Sequence, residues 1–293
     1  MEKIGLVLEG GGVRGAFTAG ALTWLHDNNI TFDYSAGVSS GAVYLACFLT
    51  DNMEAAKLLA TKFACSPEVV GARAFLKEGH YVAYKYLVEN CMKDQAGLSL
   101  EHIREEKPEV EIGVYDLGLG RTVWYGADDL DDDLTLLRAS CALPIASAVV
   151  DYKGKRFLDG GITKMVPIER ALEQGCTKCL VITTKPKDYV RKPAAPIVEN
   201  MMKVVYHDCP QIAEDYHVRH LNYNTQMDLV RELEKENKAI LVYPSKTIDV
   251  SRWKGDEAKC KELFQLGYDD MEARRDEIMA FMKKDDGSKK EDE

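Results

Sequence analysis

Asp33-Tyr34-Ser35-Ala36-Gly37-Val38-Ser39-Ser40-Gly41-Ala42-Val43-Tyr44-Leu45-Ala46-Cys47 is the stretch from which the rest of the chain is read. Within it, Gly37-Val38-Ser39-Ser40-Gly41 fits Gly-x-Ser-x-Gly, the sharp strand-to-helix turn that lifts a serine hydroxyl to its apex. A largely apolar run leads in as a strand, and Ala42 to Leu49 continues as a small-residue segment suited to a helix. The demand for glycine is steric: strand and helix nearly touch two positions either side of the serine. About 0.1 chance matches to this pattern are expected in a chain of this length. The reading therefore needs the other parts of a serine hydrolase, an oxyanion site and a base.

Composition narrows the function classes. The 293 residues are 46% hydrophobic and 29% charged, with a formal net charge of -10. That charge repels polyanions, and no basic stripe compensates, so no nucleic-acid partner is expected. It also argues against electrostatic capture by an anionic bilayer. No apolar run reaches the roughly 18 residues needed to span one. The N-terminus enters a strand at once, leaving no room for a signal peptide. The expected location is the cytoplasm, with transient peripheral contact at the inner face of the membrane. Eight cysteines then read as reduced, mostly buried thiols. Cys176-Thr177-Lys178-Cys179 has redox spacing but lacks a second Cys or His pair, so neither metal nor redox cofactor is expected.

Taken in order, Ile4 to Leu8 is a short strand running into Glu9-Gly10-Gly11-Gly12-Val13-Arg14-Gly15 and then a helix from Ala16. Backbone N–H groups in such a loop point at something negative. Gly10-x-Gly12-x-x-Gly15 satisfies a dinucleotide fingerprint, with Asp33 as the ribose-binding acid. The rival reading is an oxyanion hole, and a plain tight turn is the third. Asp33 separates the first two: it opens the strand that reaches Ser39, whereas a ribose-binding acid stands at a strand's carboxyl end. The oxyanion hole is favoured. Residues 53–65, 67–77 and 82–93 are predicted helices, and residues 75–88 are the candidate lipid-facing cap. Strands are predicted over 109–115 and 121–125. Asp128 to Asp133 lacks the ligand alternation of a calcium loop, and Asp133 is expected to cap a helix over 134–141. Strands over 148–152 and 156–158 deliver Asp159-Gly160-Gly161, a second turn where backbone must pass close. A helix over 168–174, a strand over 178–184, a Pro-rich link, helix over 197–236, a strand over 239–243 and a helix over 256–283 complete the chain.

These residues resemble a known family. Gly10-Gly11-Gly12-Val13-Arg14-Gly15, Gly37-Val38-Ser39-Ser40-Gly41, Ala139-Ser140-Cys141-Ala142-Leu143-Pro144 and Asp159-Gly160-Gly161 look like the signature set of patatin-like phospholipases, in order and at fitting separations. The resemblance covers roughly residues 4–185. It implies an α/β fold of three layers, α/β/α, with a central, mostly parallel sheet and a helical C-terminal extension. The expected divisions are 1–190 for the hydrolase domain, 191–282 for the mainly helical extension packed on it, and 283–293 for a disordered charged tail. The resemblance also implies a Ser–Asp dyad, with Ser39 as nucleophile and Asp159 as base. Gly11 and Gly12 would supply the oxyanion N–H groups, and Arg14 would steady the loop or meet a phosphate. Gly10, Gly15, Gly37, Gly41, Gly160 and Gly161 would shape the turns. The implied substrate is a phospholipid or other acyl lipid. Glu9 stands where plant members have Asp, and Gly161 where alanine is commoner.

A carboxylate can serve as base without histidine if burial raises its pKa and an oxyanion hole lowers the barrier. Two alternatives stay open. One is an esterase with a Ser-His-acid triad, for which His207, His217 and His220 follow Asp159 in chain order. The other is a catalytically silent lipid- or nucleotide-binding module.

Overall fold

A computed structural model of the chain describes residues 2–250 and 256–284. β1 (Ile4–Leu8) passes through the glycine loop and a single 3-10 turn, Gly12–Gly15, into α1 (Ala16–Asp27); β2 (Tyr34–Val38) turns at Ser39 into α2 (Ser40–Leu49). Next come α3 (Met53–Leu58), α4 (Ala72–Glu78), α5 (Tyr84–Tyr86) and α6 (Glu101–Glu106), with π-helical turns continuing α3 and α5. β3 (Val110–Asp116), β4 (Arg121–Tyr125), α7 (Thr135–Cys141), β5 (Val150–Tyr152) and β6 (Lys155–Asp159) follow. The chain then runs through α8 (Ile168–Glu173), β7 (Lys178–Ile182), α9 (Pro196–Val205), α10 (Gln211–Lys235), β8 (Ala239–Val242), α11 (Glu257–Ala273) and α12 (Arg275–Met282).

Among the described residues the eight strands join one sheet in the order β5-β6-β3-β2-β1-β7-β8, with β4 also on β3. β3, β2, β1, β7 and β8 are mutually parallel. The sheet's two faces are separated by the period-2 pattern of its strands. Leu6 and Leu8, Leu180 and Ile182, and Ile240 and Val242 face a core shared with α1, α2 and α11. Val7, Val181 and Leu241 face a second core closed by α8 and α10, through Ile168, Tyr223, Met227 and Val230. The result is the three-layer arrangement of helix, mostly parallel sheet and helix. The segment after residue 190 enters each layer: β8 extends the sheet, α10 covers one face, and α11 backs α1 on the other.

Several boundaries depart from the sequence reading, each with a local cause. The helix expected over 67–77 starts only at Ala72, after Gly71 at φ 110. That over 197–236 divides at Tyr206–Pro210, and that over 256–283 breaks at Arg274. Asp133 does not cap α7: Asp131 Oδ1 accepts the Thr135 N–H at 2.9 Å, and Asp133 pairs with Lys93 instead. Lys284 pairs with Asp33 at 2.6 Å, and residues 285–293 of the expected charged tail lie outside the described residues. Asp33 also accepts the Ile4 N–H at 2.8 Å. It therefore sits at the start of β1, at the opposite end of that strand from the glycine loop, which removes the dinucleotide reading. All eight cysteines are free and buried. Among the described residues no helix is long and apolar enough to cross a membrane.

Candidate active site

Strand register alone brings Ser39 and Asp159 together. β4 pairs with β3 over Ile112–Asp116, so β2 and β6 must share β3's other edge. β2 runs parallel along that edge and ends with Val38 opposite Gly113. β6 arrives antiparallel and ends with Asp159 opposite Val114, the next residue. The residue after Val38 and the last residue of β6 thus meet where one strand leaves and the other begins.

Ser39 holds φ 56 and ψ -130, a region that a non-glycine residue occupies only under constraint from its surroundings, at about 1–3 kcal/mol. The constraint is visible. The Ser39 N–H donates to Ser140 Oγ at 2.8 Å, and Ser140 Oγ donates to the Gly113 carbonyl at 2.8 Å. A methyl on Gly41 would stand 2.7 Å from the Leu8 carbonyl oxygen, so α2 can start here only without a side chain at that position. The Ala139–Pro144 segment holds the second partner too, because the Ala142 carbonyl accepts the Asp159 N–H at 2.8 Å. Ser140 was legible only as part of the family-like run. Its function as a strut between elbow and sheet comes from the structure.

The glycine loop is held from behind by Glu9, which is fully buried. Its carboxylate accepts from the Thr184 N–H, from Thr184 Oγ1 at 2.9 Å and from Lys185 Nζ at 3.2 Å. Of the two oxyanion donors expected, the Gly11 N–H donates to Ser40 Oγ at 2.9 Å. Gly12, at φ 57 and exposed, opens the 3-10 turn, and its N–H has no acceptor among the described residues. Arg14 lines the cleft beside it.

Asp159 is 2% exposed. Its Oδ1 accepts the Gly161 N–H at 2.7 Å, and its carboxylate lies within hydrogen-bonding reach of the Ser39 side chain. Burial pushes its pKa up, while the Arg219 charge and these hydrogen bonds pull it back; burial wins, and the carboxyl titrates above its ordinary value. A methyl on Gly160 would meet the Gly113 carbonyl oxygen at 2.5 Å, so only glycine lets the chain turn there.

Ser39 and Asp159 open into a cleft of about 1260 Å³, part of it open to solvent. One wall is apolar, built from Val43, Leu59, Val69, Val82, Leu87 and Met92. Among the described residues no histidine lines it. His217 is exposed and binds Glu199 at 3.1 Å, and His220 Nδ1 lies 3.1 Å from the His217 carbonyl. His207 is exposed as well. Among the described residues, no three His, Cys, Asp or Glu side chains gather as metal ligands. Sequence reasoning missed Glu9's anchoring contacts and the cations Lys185, Arg191 and Arg219, which also line the cleft. Arg219 is 8% exposed, and its Nε donates to the Gly161 carbonyl at 2.6 Å.

The chain is similar to uncharacterized protein YjjU of Escherichia coli (strain K12), at 28% identity over 205 residues. That match takes in 65% of this chain and 54% of the relative, so the chain spans about half the length of the curated relative. Its fold is similar to that of VipD from Legionella pneumophila, with TM-score 0.49 and 15% identity over 94% of this chain and 67% of that one. Residues 209–283 match a domain of unknown function, DUF6363. Residues 6–172 match the model of patatin-like phospholipases, more than half of the chain and all three motif turns, and the chain belongs to the patatin-like phospholipase family.

Proposed function

We propose that the chain is a lipid acyl hydrolase that cleaves carboxylic esters through a Ser39–Asp159 dyad and an acyl-enzyme. One observation carries this reading: a strained, buried serine within reach of a buried carboxylate, at the foot of an apolar-walled cleft without histidine. In the reaction Asp159 takes the Ser39 proton as Oγ attacks the acyl carbonyl. The Gly12 N–H donates to the oxyanion, while the Gly11 N–H, bonded to Ser40, keeps the loop in register. Asp159 then returns the proton to the departing alcohol, and water attacks the acyl-enzyme by the same route. Desolvation makes Asp159 a stronger base than an exposed carboxylate, and removal of water strengthens the oxyanion contact. The acyl chain lies along the apolar wall.

The docking face of this reading is a lipid surface. Phe75, Leu76 and Tyr81 are exposed beside the cleft, within the 75–88 region singled out by sequence. Ile197, Met201, Val204 and Val205 form an exposed apolar stripe on α9. Both flank the same loop: the Val82 N–H donates to the Ala146 carbonyl at 2.9 Å, and Tyr206 Oη accepts the Ile145 N–H at 2.9 Å. We also read 1–190 as the hydrolase unit and 191–282 as an extension that shares its cores.

A fluorophosphonate probe tests the central claim, since it labels only an activated serine. The unmodified chain should label at Ser39, and Ser39→Ala should not label. Labelling that survives Ser39→Ala, or none in the unmodified chain, would refute the assignment.

A further inference from the structure

The base and the glycine loop are joined by one short segment, residues 160–166. It leaves Asp159 as a turn, with the Gly161 N–H on Asp159 Oδ1 at 2.7 Å. It ends beside the glycine loop, where the Met165 carbonyl accepts the Gly10 N–H at 3.1 Å. Met165 packs under both: a methyl on Gly161 would stand 2.9 Å from its sulfur, and one on Gly10 3.1 Å. A shift of this segment therefore moves Asp159 and the glycine loop together.

The segment is gripped from two sides. From the sheet, Thr122 Oγ1 on β4 donates to the Gly160 carbonyl at 2.8 Å. From the other side comes α10, on which Arg219, Tyr223 and Gln226 stand at i, i+4 and i+7 and so share one stripe. Arg219 Nε donates to the Gly161 carbonyl at 2.6 Å. Gln226 takes the far end: its Nε2 donates to the Thr163 carbonyl at 3.0 Å, and its Oε1 accepts the Val166 N–H at 3.1 Å. Between them, the Tyr223 side chain lies within hydrogen-bonding reach of Glu9, the carboxylate that holds the glycine loop from behind. Arg219 is 8%, Tyr223 1% and Gln226 2% exposed. Burying a guanidinium and an amide costs free energy unless their polar atoms are met, and main-chain groups of residues 161, 163 and 166 meet them here. Side chains carried on a helix that is itself packed into a core fix a geometry more tightly than loop residues do.

We propose that α10 clamps this segment for catalysis, with Arg219 and Gln226 as positioning residues that hold Asp159 against Ser39 and keep the glycine loop in register. The proposal rests on the Ser39–Asp159 reading, and it gives the region matched over 209–283 a task within the site. Each of the two residues acts through the main chain that follows Asp159.

The test uses the full-length chain and p-nitrophenyl butyrate, a soluble ester that needs no lipid surface, at a pH on the plateau of the rate profile. Arg219→Met keeps the length of the side chain and removes both donor and charge. Arg219→Gln sets an N–H as many bonds from Cα as the Nε of arginine, so it restores the bond without the charge. A misplacement of about 1 Å can cost about 10²-fold in rate, so kcat should fall at least about tenfold in Arg219→Met and in Gln226→Met, with KM within about twofold of the parent. Arg219→Gln should regain most of the loss.

Fluorophosphonate labelling separates positioning from folding. Its end-point counts the chains with a competent site, and its rate reports how well Asp159 activates Ser39. In both methionine variants the rate should fall with kcat while the end-point stays near that of the parent. A lower end-point with an unchanged rate marks a part in folding alone and overturns the proposal. Methionine variants as fast as the parent overturn it too, as do equal losses in Arg219→Met and Arg219→Gln, which assign the effect to charge. Should one methionine variant lose its fold, the other carries the same reading. A parent that labels beside variants that are unimpaired leaves the hydrolase reading standing without the clamp. A parent that neither labels nor turns over removes the hydrolase reading and the proposal with it.

Discussion

α11 crosses α1 backbone to backbone, and Gly267→Ala should loosen the whole chain. A methyl at Gly267 would stand 2.1 Å from the Phe17 carbonyl oxygen and 2.9 Å from its carbon. Its counterpart Gly20 would place one 1.8 Å from the Phe264 carbonyl oxygen. Ordinary contact begins near 3.4 Å, and both obstacles are backbone, so the helices must part by more than 1 Å. Overpacking of this kind costs about 1–3 kcal/mol and occasionally more. Parting also loosens Leu263, Phe264 and Leu266, all buried in the shared core. Alanine returns about 1 kcal/mol of helix propensity over glycine. With both obstacles backbone, the cost falls in the upper half of that range, and the net expectation is a loss of about 1–2 kcal/mol, or about 2–8 °C in Tm for a chain of this size.

The assay is thermal and urea unfolding of the full chain, followed by circular dichroism. Gly20→Ala combined with Gly267→Ala should cost less than the two singly, because one separation relieves both clashes. Ester turnover should fall as well, since α1 begins directly after the 3-10 turn that carries Gly12. A Gly267→Ala chain that melts at or above the parent temperature would show that α11 does not dock on α1 in this way.

Other consequences follow from the same geometry. Ser39→Ala and Asp159→Asn should each abolish ester hydrolysis, since dyad members act as a unit; alanine at His207, His217 or His220 should stay within about threefold of the parent, below the 10²–10⁴ loss of a true general base. A large loss in any histidine variant, with Asp159→Asn active, would replace the dyad by a triad. Asp159 must be ionised to act, so kcat/KM should fall as pH drops through its raised pKa, and Arg219→Gln, which removes an opposing positive charge, should carry that fall to higher pH. The same raised value means the folded state holds this proton more tightly, so Asp159's contribution to stability is full at low pH and lost as pH rises through the folded pKa; a pH-rate profile and a melting series read both, and a fall displaced to lower pH in Arg219→Gln would contradict the electrostatics. Leu76→Asp and Val204→Asp should each weaken binding to zwitterionic vesicles about tenfold, with little dependence on salt, in a flotation assay; steep salt dependence would point to charge rather than apolar contact.

The site was legible where backbone geometry restricts residue choice. A serine at an elbow, an acid before two glycines and a glycine loop after a strand are local patterns, and in the structure Ser39 stands at the turn from β2 to α2, Asp159 at the end of β6 and Gly12 in the loop after β1. The order of the strands was not legible. β3 receives β2, β4 and β6, and that Ser39 and Asp159 meet depends on Gly113 and Val114 being successive residues of one strand edge. Nothing within either motif carries that information. The contact that the Gly11 N–H makes was hidden for a related reason. Ser40 occupies the variable position of Gly-x-Ser-x-Gly, where the motif asks nothing of it, yet its hydroxyl takes the Gly11 N–H across 29 residues of sequence.

The C-terminal half hid its part in the site because α10 does two things at once. Tyr223, Met227 and Val230 close the second core, while Arg219 reaches the Gly161 carbonyl and Asn224 clamps Arg191. A helix that serves a core on one stripe and a polar cleft on the adjacent one shows no clean apolar face, so 211–235 reads as a charged surface helix. Its three histidine neighbours drew attention to the exposed side. Arginine was the better signal: a guanidinium four-fifths or more buried must satisfy its donors, and here one of them holds the turn that carries Asp159. The extension is thereby tied to the candidate site as well as to the fold, and loss of α10 would remove a wall of the cleft along with a layer of the core.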